Sequence, residues 1–244
     1  MKQSRFLLFL LVFSASGPLF AEANHFQSGL EQNQLIELYT SEGCSSCPPA
    51  EAWLNRLRED PALWHDRIPA AFHVGYWDKL GWKDRFSSPT YSARQRAYAR
   101  HWRARTVYTP EFFVNGREWR RWYRTDVPDN SRIKVGNLKV TLQNKNLTAR
   151  FQPEGSLPDK LTLHVALLGM NRTTQIRAGE RNGEKTTHHF VVLGHKSVAS
   201  KERRWQTRLP QPQPDEAGQQ ALAVWITRSD DPRPIQSTGG RIRP

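Results

Sequence analysis

One segment decides the predicted fold, residues 35–57, with the sequence LIELYTSEGCSSCPPAEAWLNRL. Its first part, Leu35–Tyr39, is an apolar run typical of a buried strand, and the part from Pro48 to Arg58 has apolar residues at the spacing of a helix. Two cysteines, Cys44 and Cys47, lie between these parts. The sequence therefore predicts a Cys-x-x-Cys pair at the point where a strand ends and a helix begins.

Cys44 is the predicted nucleophile of a thiol–disulfide reaction. Helix N-termini carry unpaired N–H groups and partial positive charge, and both stabilise a thiolate. A cysteine in such a place can have a pKa of about 3.5 to 7.5 instead of about 8.5. Cys47 lies one helical turn further on, where it can attack a mixed disulfide on Cys44 and complete the exchange.

Other interpretations of the cysteine pair stay open. The pair can be an inert disulfide, although so short a loop removes little entropy from the unfolded chain. It can also handle a soft metal ion such as Cu(I) together with a histidine, for which the candidates are His65, His73 and His101. A non-enzymatic binding or assembly protein on the same scaffold is a further alternative.

Outward from this segment, the chain divides into two patterns. Up to about Arg120, strand-like runs alternate with helical ones, with a second strand at Ile68–Val74 and a helix from Pro89 to about Arg103. After about Asp126, short alternating strands recur between turn clusters, which is the spacing of an all-β sandwich. The patterns predict an α/β domain followed by a β module.

Several blocks of sequence resemble a known family. The block around CSSCPP is similar to the redox-site region of the thioredoxin superfamily. Together with FHVGYWDKLGWKD, FSSPTYSARQRAYA and VYTPEFFVNGR, it resembles a family of exported bacterial thioredoxin-like proteins catalogued as a domain of unknown function. These blocks cover residues 35–117, and IRAGERNGEKTTHHFVV in the C-terminal half matches loosely. Gly75 and Glu111 stand where the resemblance leads us to expect an acidic residue and a glutamine.

The resemblance also implies a fold and a loop opposite the cysteines. The implied fold is an α/β thioredoxin-like domain over residues 24–126, with a helical insertion at residues 77–105, followed by an all-β sandwich-like domain over residues 127–244. Thr109 and Pro110 are implied to form a loop whose cis proline faces the cysteine pair. Backbone beside such a loop can pair with an extended substrate chain.

Glu37 is the remaining candidate site residue. It lies inside the apolar strand, seven positions before Cys44. If the side chain is buried, its pKa rises and it can move protons for Cys47 during exchange. If it faces solvent at a strand edge, it has no such role. The sequence around Glu37 supports both possibilities equally. The whole sequence predicts no cofactor and no metal ligand set.

Composition restricts the function classes. The 244 residues carry 36 basic against 23 acidic side chains, which gives a formal net charge of +13. Two cysteines are too few for a disulfide framework or, alone, for a four-ligand zinc site. Arginines interleave with aromatic residues from Arg94 to Arg124, a mixture that can bind single-stranded nucleic acid. In an exported protein, the same mixture favours acidic partners or anionic surfaces.

The N-terminus has the pattern of a cleavable secretory signal over residues 1–23. Lys2 and Arg5 precede the eight-residue apolar run Phe6–Phe13, and the sequence Ala-Glu-Ala at residues 21–23 has the form of a cleavage site. This run is too short to span a bilayer. The sequence therefore predicts a periplasmic or secreted protein with no transmembrane helix in the mature chain. Its predicted partners are protein thiols or disulfides of the cell envelope, and not nucleic acid.

Overall fold

The computed structural model describes residues 22–130, 132–157, 160–212 and 218–243. Within these ranges the chain forms fourteen strands, two α-helices and two short 3-10 helices. The strands are β1 (Asn24–Gln27), β2 (Gln34–Thr40), β3 (Arg67–His73), β4 (Glu111–Val114), β5 (Arg117–Glu118), β6 (Gly136–Gln143), β7 (Asn146–Pro153), β8 (Leu161–Gly169), β9 (Arg172–Gln175), β10 (Lys185–His188), β11 (Val191–Ser200), β12 (Arg204–Arg208), β13 (Gln220–Arg228) and β14 (Pro234–Arg241). The helices are α1 (Pro48–Arg56) and α2 (Pro89–His101), and the 3-10 helices cover Leu57–Glu59 and Gly75–Leu80.

An eight-stranded sheet organises the molecule, with the order β14-β13-β8-β11-β3-β2-β4-β5. Strand β3 lies parallel to β2 and to β11, whereas the other neighbouring pairs are antiparallel. Every residue of β2 is buried. A strand that is covered on both faces has an apolar run instead of an alternating pattern, which explains the sequence of β2.

Two hydrophobic cores lie on opposite faces of this sheet. Because successive side chains of a strand point to opposite faces, β13 sends Trp225 into a core with both α-helices, β2 and β3. The same strand sends Val224 into a second core with strands β6 and β7. Those two strands belong to a four-stranded sheet with the order β1-β6-β7-β12. A third, two-stranded sheet pairs β9 with β10.

The predicted fold class is wrong. An α/β thioredoxin-like domain with a helical insertion, followed by an all-β sandwich-like domain, does not describe a molecule built mostly of β-sheet. Val191 of β11 pairs with Ala71 of β3, so the segment with the cysteines and the C-terminal strands share one sheet and one core. A local pattern identifies a strand but not the distant strand that pairs with it. Here the pairing of β11 with β3 joins the N-terminal and C-terminal segments, which the sequence patterns assign to different domains.

The expected helical insertion at residues 77–105 is also not a separate cap. Tyr91 and Tyr98 of α2 are buried in the core beneath the sheet, and the Tyr91 ring lies 5.4 Å from the ring of Phe72 on β3. Before α2, residues 77–80 of this segment belong to the 3-10 helix Gly75–Leu80. Helix α2 therefore covers one face of the sheet.

The predicted secretory signal falls mainly on residues 1–21, which lie outside the described residues. The described residues begin just before β1, which pairs antiparallel with β6. In the part of the chain that the structure covers, no helix has both the length and the apolar character needed to cross a bilayer.

Candidate active site

The two cysteines form a disulfide at the start of α1. Their Cα atoms are 5.4 Å apart, and Cys47 is the residue that precedes the first helical position. The turn between β2 and α1 is tight, because the N–H of Cys44 donates to the carbonyl of Ser41 and the N–H of Cys47 donates to the carbonyl of Cys44. A Cβ atom at Gly43 would lie only 3.3 Å from the Cβ of Trp77, so this turn favours glycine.

The start of α1 offers few free N–H groups to a sulfur atom. Pro48 and Pro49 have no N–H, and the N–H groups of Ala50 and Glu51 both donate to the carbonyl of Cys47. The predicted low pKa of Cys44 depended in part on unpaired backbone N–H groups at this position. What remains there to stabilise a thiolate is the positive end of the helix dipole.

The side chain of Ser46 lies against the sulfur of Cys44. Its Oγ is 3.4 Å from the Sγ of Cys44, within hydrogen-bonding reach of a sulfur, and 3.5 Å from the carbonyl oxygen of Thr109. Ser45 and Ser46 are exposed, whereas neither Cys44 nor Cys47 has any exposed surface. The disulfide therefore lies directly beneath an exposed pair of serines.

The loop with Thr109 and Pro110 lies across this turn. The peptide bond between these two residues is cis. The Nε1 of Trp77 donates to the hydroxyl of Thr109 at 2.7 Å, and the same tryptophan contacts the turn at Gly43. Of the predicted site residues, the structure thus brings the two cysteines, Thr109 and Pro110 to one place.

Glu37 lies elsewhere in the molecule. Its side chain is fully buried, and Oε1 is 2.7 Å from the Nε of Arg94 and 3.3 Å from the hydroxyl of Tyr39, while Tyr98 donates to Oε2. No described contact joins Glu37 to either cysteine. Of the two possibilities for Glu37, the structure has the buried one. The carboxylate of Glu37 is paired with Arg94 of α2 and does not lie beside Cys47.

A buried cluster of charged residues, which the sequence patterns do not predict, lies behind the cysteine turn. The backbone N–H of Glu42 donates to Asp84 at 2.8 Å, and the Glu42 carboxylate accepts from Trp82 at 2.9 Å and lies 3.2 Å from the Nε2 of His188. Burial by itself would raise the pKa of Glu42. The hydrogen bond with His188 contributes to holding that pKa below its usual value.

The cluster extends to α1 through Glu51. Thr40 donates to Oε1 of Glu51 at 2.7 Å, and Oε2 lies 3.6 Å from the Nδ1 of His188 and 3.8 Å from Arg181. Arg181 also lies 3.5 Å from the carbonyl oxygen of Glu42. The loop and strand that carry Arg181 and His188 therefore fix the turn before the cysteines and the first turn of α1 to each other.

The sequence signal for this cluster was the C-terminal block IRAGERNGEKTTHHFVV, which contains both Arg181 and His188. Gly179 in the same block has a φ of +73°, and a Cβ there would lie 3.2 Å from the Cβ of Trp82. This close approach requires glycine and seats the block against the segment around Trp82. Only the tertiary structure places it behind the cysteines.

His73, one of the histidines named as a candidate metal ligand, belongs to the same cluster. Its Nδ1 lies 2.7 Å from Asp84, and its side chain has no exposed surface. Burial by itself would lower the pKa of His73, but the charge of Asp84, its hydrogen bond with His73 and the charges of Glu51 and Glu42 together outweigh this and raise the pKa to about 8. Within the described ranges, no group of three or more His, Cys, Asp or Glu side chains is arranged to hold a metal ion.

Glu111 follows the cis proline and is buried. Its carboxylate accepts a hydrogen bond from the Nε2 of Gln95 at 2.6 Å, and the same Nε2 donates to the carbonyl of Tyr108 at 2.7 Å. Burial raises the pKa of Glu111 to about 7; the charge of Glu118 acts in the same direction, and Arg120 opposes it. The protonation of Glu111 is thus coupled to the loop that lies across the cysteines.

The pH dependence of stability should include two contributions that decrease as the pH rises from about 5 to about 8, from Glu111 and His73, and an opposite contribution below about 6.5 from His164, His189 and His195, whose pKa values burial lowers. The folded-state pKa of Glu111 lies above its ordinary value, so its stabilising contribution is complete at low pH and is lost as the pH rises through about 7. His73 acts in the same direction, with a contribution that is complete below its ordinary pKa and lost as the pH rises through about 8. Melting temperature measured against pH tests this expectation.

A Glu111→Gln variant isolates the first contribution, because the amide keeps a hydrogen-bonding oxygen and does not titrate. Relative to the wild type, the melting temperature of this variant should rise as the pH increases from about 5 to about 7, because the variant has no Glu111 contribution to lose. The control is Glu59→Gln, at a side chain that is 78% exposed, and this variant should follow the wild-type profile. Identical profiles for Glu111→Gln and the wild type would contradict the assignment.

The sequence matches a protein family but no curated protein. Residues 35–227 match the family model described as "Protein of unknown function (DUF1223)". No curated protein matches the sequence.

Two solved structures resemble the chain. An X-ray crystal structure of a protein from Agrobacterium tumefaciens has a TM-score of 0.63 and 22% identity, and the match covers 87% of this chain and 96% of that one. A structure of HBP35 of Porphyromonas gingivalis has a TM-score of 0.53 and 13% identity, and the match covers 87% of this chain and 76% of that one. At these identities the similarity indicates a shared fold alone.

Proposed function

The chain belongs to the DUF1223 family of proteins of unknown function, and we propose that it catalyses thiol–disulfide exchange through Cys44 and Cys47. One observation carries this proposal: the two cysteines are already joined as a disulfide at the start of α1, under an exposed pair of serines and beside the loop of Thr109 and Pro110. A cysteine at the positive end of a helix favours the thiolate, which is the reactive form.

The exchange proceeds through a mixed disulfide. In the reduced protein, the Cys44 thiolate attacks one sulfur of a client disulfide, and the other client sulfur leaves as a thiolate that takes up a proton. The Cys47 thiolate then attacks the sulfur of Cys44 and releases the second client sulfur. The client disulfide becomes two thiols, and the protein returns to the Cys44–Cys47 disulfide. The reverse sequence oxidises a client dithiol.

Access to the sulfurs is the demanding step of this mechanism. Neither cysteine has exposed surface in the disulfide form, and the side chain of Ser46 lies against the Sγ of Cys44. A client sulfur therefore reaches Cys44 when Ser46 moves aside. Since Ser46 is itself exposed, its movement requires no rearrangement of the core.

Ser46→Ala should slow the alkylation of Cys44 in the reduced protein near neutral pH. The hydroxyl of Ser46 is within reach of the Cys44 sulfur, and a hydrogen bond to a thiolate lowers the thiol pKa. We expect a decrease of about threefold to tenfold, because the typical net contribution of a hydrogen bond, about 0.5–1.5 kcal/mol, corresponds to a change of about twofold to twelvefold. The measurement is the iodoacetamide rate as a function of pH.

Ser45→Ala is the matched control for this prediction. Ser45 is an exposed serine within the same motif. Its variant should alkylate at the wild-type rate at every pH. An unchanged pH profile in Ser46→Ala, or an equal slowing in both variants, would contradict a hydrogen bond from Ser46 to the thiolate.

A Cys47→Ala variant tests the proposed function itself. Without the resolving cysteine, a mixed disulfide on Cys44 persists, and it should accumulate as a covalent adduct that reducing agent releases. Cys44→Ala/Cys47→Ala is the control and should trap nothing. The enzymatic proposal is refuted if Cys47→Ala traps no client and the wild type also fails to exchange with a small symmetrical disulfide.

We place the reaction in the periplasm or outside the cell, with protein thiols or disulfides of the envelope as clients. The support is the n-region with Lys2 and Arg5, the short apolar run and the small residues at the cleavage site. Disulfides persist in such compartments. Mass spectrometry of the N-terminus of the exported protein tests this, and a chain that begins at Asn24 is the expected result.

A second candidate function is a binding protein with a structural disulfide. The specific observation that favours it is the complete burial of both cysteines. In that case, the reduced protein should alkylate at Cys44 with the pH dependence of an ordinary thiol, whose pKa is about 8.5. A thiol pKa well below that value would instead favour exchange.

A further inference from the structure

An aromatic groove begins at the cysteine motif. Its volume is about 530 Å³, and Ser46 is one of the residues that line it. The walls and floor are mainly aromatic side chains: Tyr108, Phe112, Trp119, Trp122 and Tyr123. Tyr108 and Tyr123 expose 41% and 67% of their surface, whereas Trp119 is buried. A concave site of this volume with a mainly aromatic lining is a candidate binding site.

We infer that this groove binds an extended polypeptide segment that carries an aromatic side chain and acidic residues close to its cysteine. The inference deepens the proposed function and rests on it for the cysteine. Ser46 lies between the two cysteines, and both Ser46 and Pro110 line the groove. A client chain held at Cys44 therefore continues directly into the groove, where an aromatic side chain fills the space between the exposed tyrosines.

The charge around the groove selects acidic residues. Residues 117–124 have the sequence REWRRWYR, with four arginines against one glutamate. Glu118 is paired with Arg120 at 2.8 Å and accepts a hydrogen bond from Tyr108. Arg121 and Arg124 are exposed. A carboxylate on the client can form a charge-assisted, two-pronged hydrogen bond with a guanidinium group.

The aromatic rings of the groove are not arranged for nucleic acid. Single strands bind to rings that present open faces to successive bases. Here the rings pack against one another, with Phe112 and Trp119 at 5.7 Å and an angle of 63° between their planes, and Trp122 and Tyr123 at 5.6 Å and 82°. This arrangement leaves one concave space for a side chain, which favours a polypeptide.

Binding is measured with the oxidised wild-type protein and fluorescent peptides in which serine replaces cysteine, so the result does not depend on exchange. The parent peptide has a tyrosine and two glutamates near the serine. We expect tyrosine→glycine or glutamate→lysine changes in the peptide to weaken binding by about fivefold or more. Equal affinity for all three peptides would overturn the inference, as would tighter binding of a single-stranded oligonucleotide or of phosphatidylglycerol vesicles.

Variants of the protein locate the binding to the groove. Tyr123→Ala should weaken binding of the parent peptide by about fivefold or more, and Arg120→Glu, at the arginine that lines the groove, should do the same while improving binding of the lysine peptide. The matched controls outside the groove are Ile133→Ala, at a side chain that is 58% exposed, and Lys201→Glu, at an exposed lysine. Equal losses in the controls, or no loss in the groove variants, would refute the site.

Failure of the proposed function has a separate readout. Exchange of the reduced wild type with a small symmetrical disulfide needs both cysteines but no peptide in the groove, so it tests the chemistry of Cys44 and Cys47. If that exchange occurs, Tyr123→Ala should slow exchange with a mixed disulfide of the cysteine-containing parent peptide more than it slows exchange with the small disulfide. If the small disulfide does not react, exchange is refuted, while the peptide series still decides whether the groove binds.

Discussion

Replacing Arg94 with methionine should lower the free energy of unfolding by about 3–5 kcal/mol, because it leaves a buried carboxylate without its partner. The Nε of Arg94 is 2.7 Å from Glu37, and the two side chains are 7% and 0% exposed. The guanidinium group also lies 4.8 Å from the centre of the Trp225 ring. Urea denaturation followed by circular dichroism measures the loss.

The control for this prediction is on the same helix. Arg96 is exposed, and Arg96→Met should change stability by no more than about 0.5 kcal/mol. The double variant Glu37→Gln/Arg94→Met removes both charges and keeps an amide oxygen as acceptor for Tyr39 and Tyr98, so it should recover most of the loss, since a buried ion pair contributes little compared with neutral, hydrogen-bonded side chains. A single variant that is as stable as Arg96→Met, or a double variant no better than the single one, would contradict this account.

His188→Leu should lower the free energy of unfolding by about 3 kcal/mol, through loss of the histidine that lies between two buried carboxylates. Its ring nitrogens lie 3.2 Å from Glu42 and 3.6 Å from Glu51. Without His188, these carboxylates keep Trp82 and Arg181 as partners but lose the group that joins them. The contact between the C-terminal block and the turn before the cysteines should weaken as a result.

Two measurements test this prediction. Chemical denaturation gives the loss of stability, and His65→Leu, at an exposed histidine, should change stability by no more than about 0.5 kcal/mol. Hydrogen exchange should show faster exchange at the amide N–H of Glu42, which donates to Asp84 in the folded protein. Protection equal to that of the wild type at this amide would show that His188 does not hold the turn in place.

The local features of the candidate site follow from the sequence. The apolar run before Cys44 and the prolines after Cys47 specify a strand, a turn and a helix start, because each depends on side chains within a few residues. Strand β2 and helix α1 lie there in the structure. Asn115 and Gly116 likewise specify the turn between β4 and β5, and both have positive φ angles.

Other features of the site depend on residues far apart in the chain. Glu37 has the same sequence context whether it is buried beside an arginine or exposed, and only the packing of α2 brings Arg94 to it, 57 residues away. The separation along the sequence is larger for Glu42 and His188, which are 146 residues apart. No periodicity in the sequence encodes such a pair, since it depends on how two sheets are assembled.

The sequence by itself determined where the cysteines lie, which short segments are strands and helices, and that the chain carries a large positive charge. Tertiary structure alone decided that the N-terminal and C-terminal strands share one sheet, that the sulfurs are covered, and that a buried charge cluster lies behind them. The physical reason is range: backbone preferences act over a few residues, whereas strand pairing and the burial of charge depend on neighbours that only the folded chain supplies.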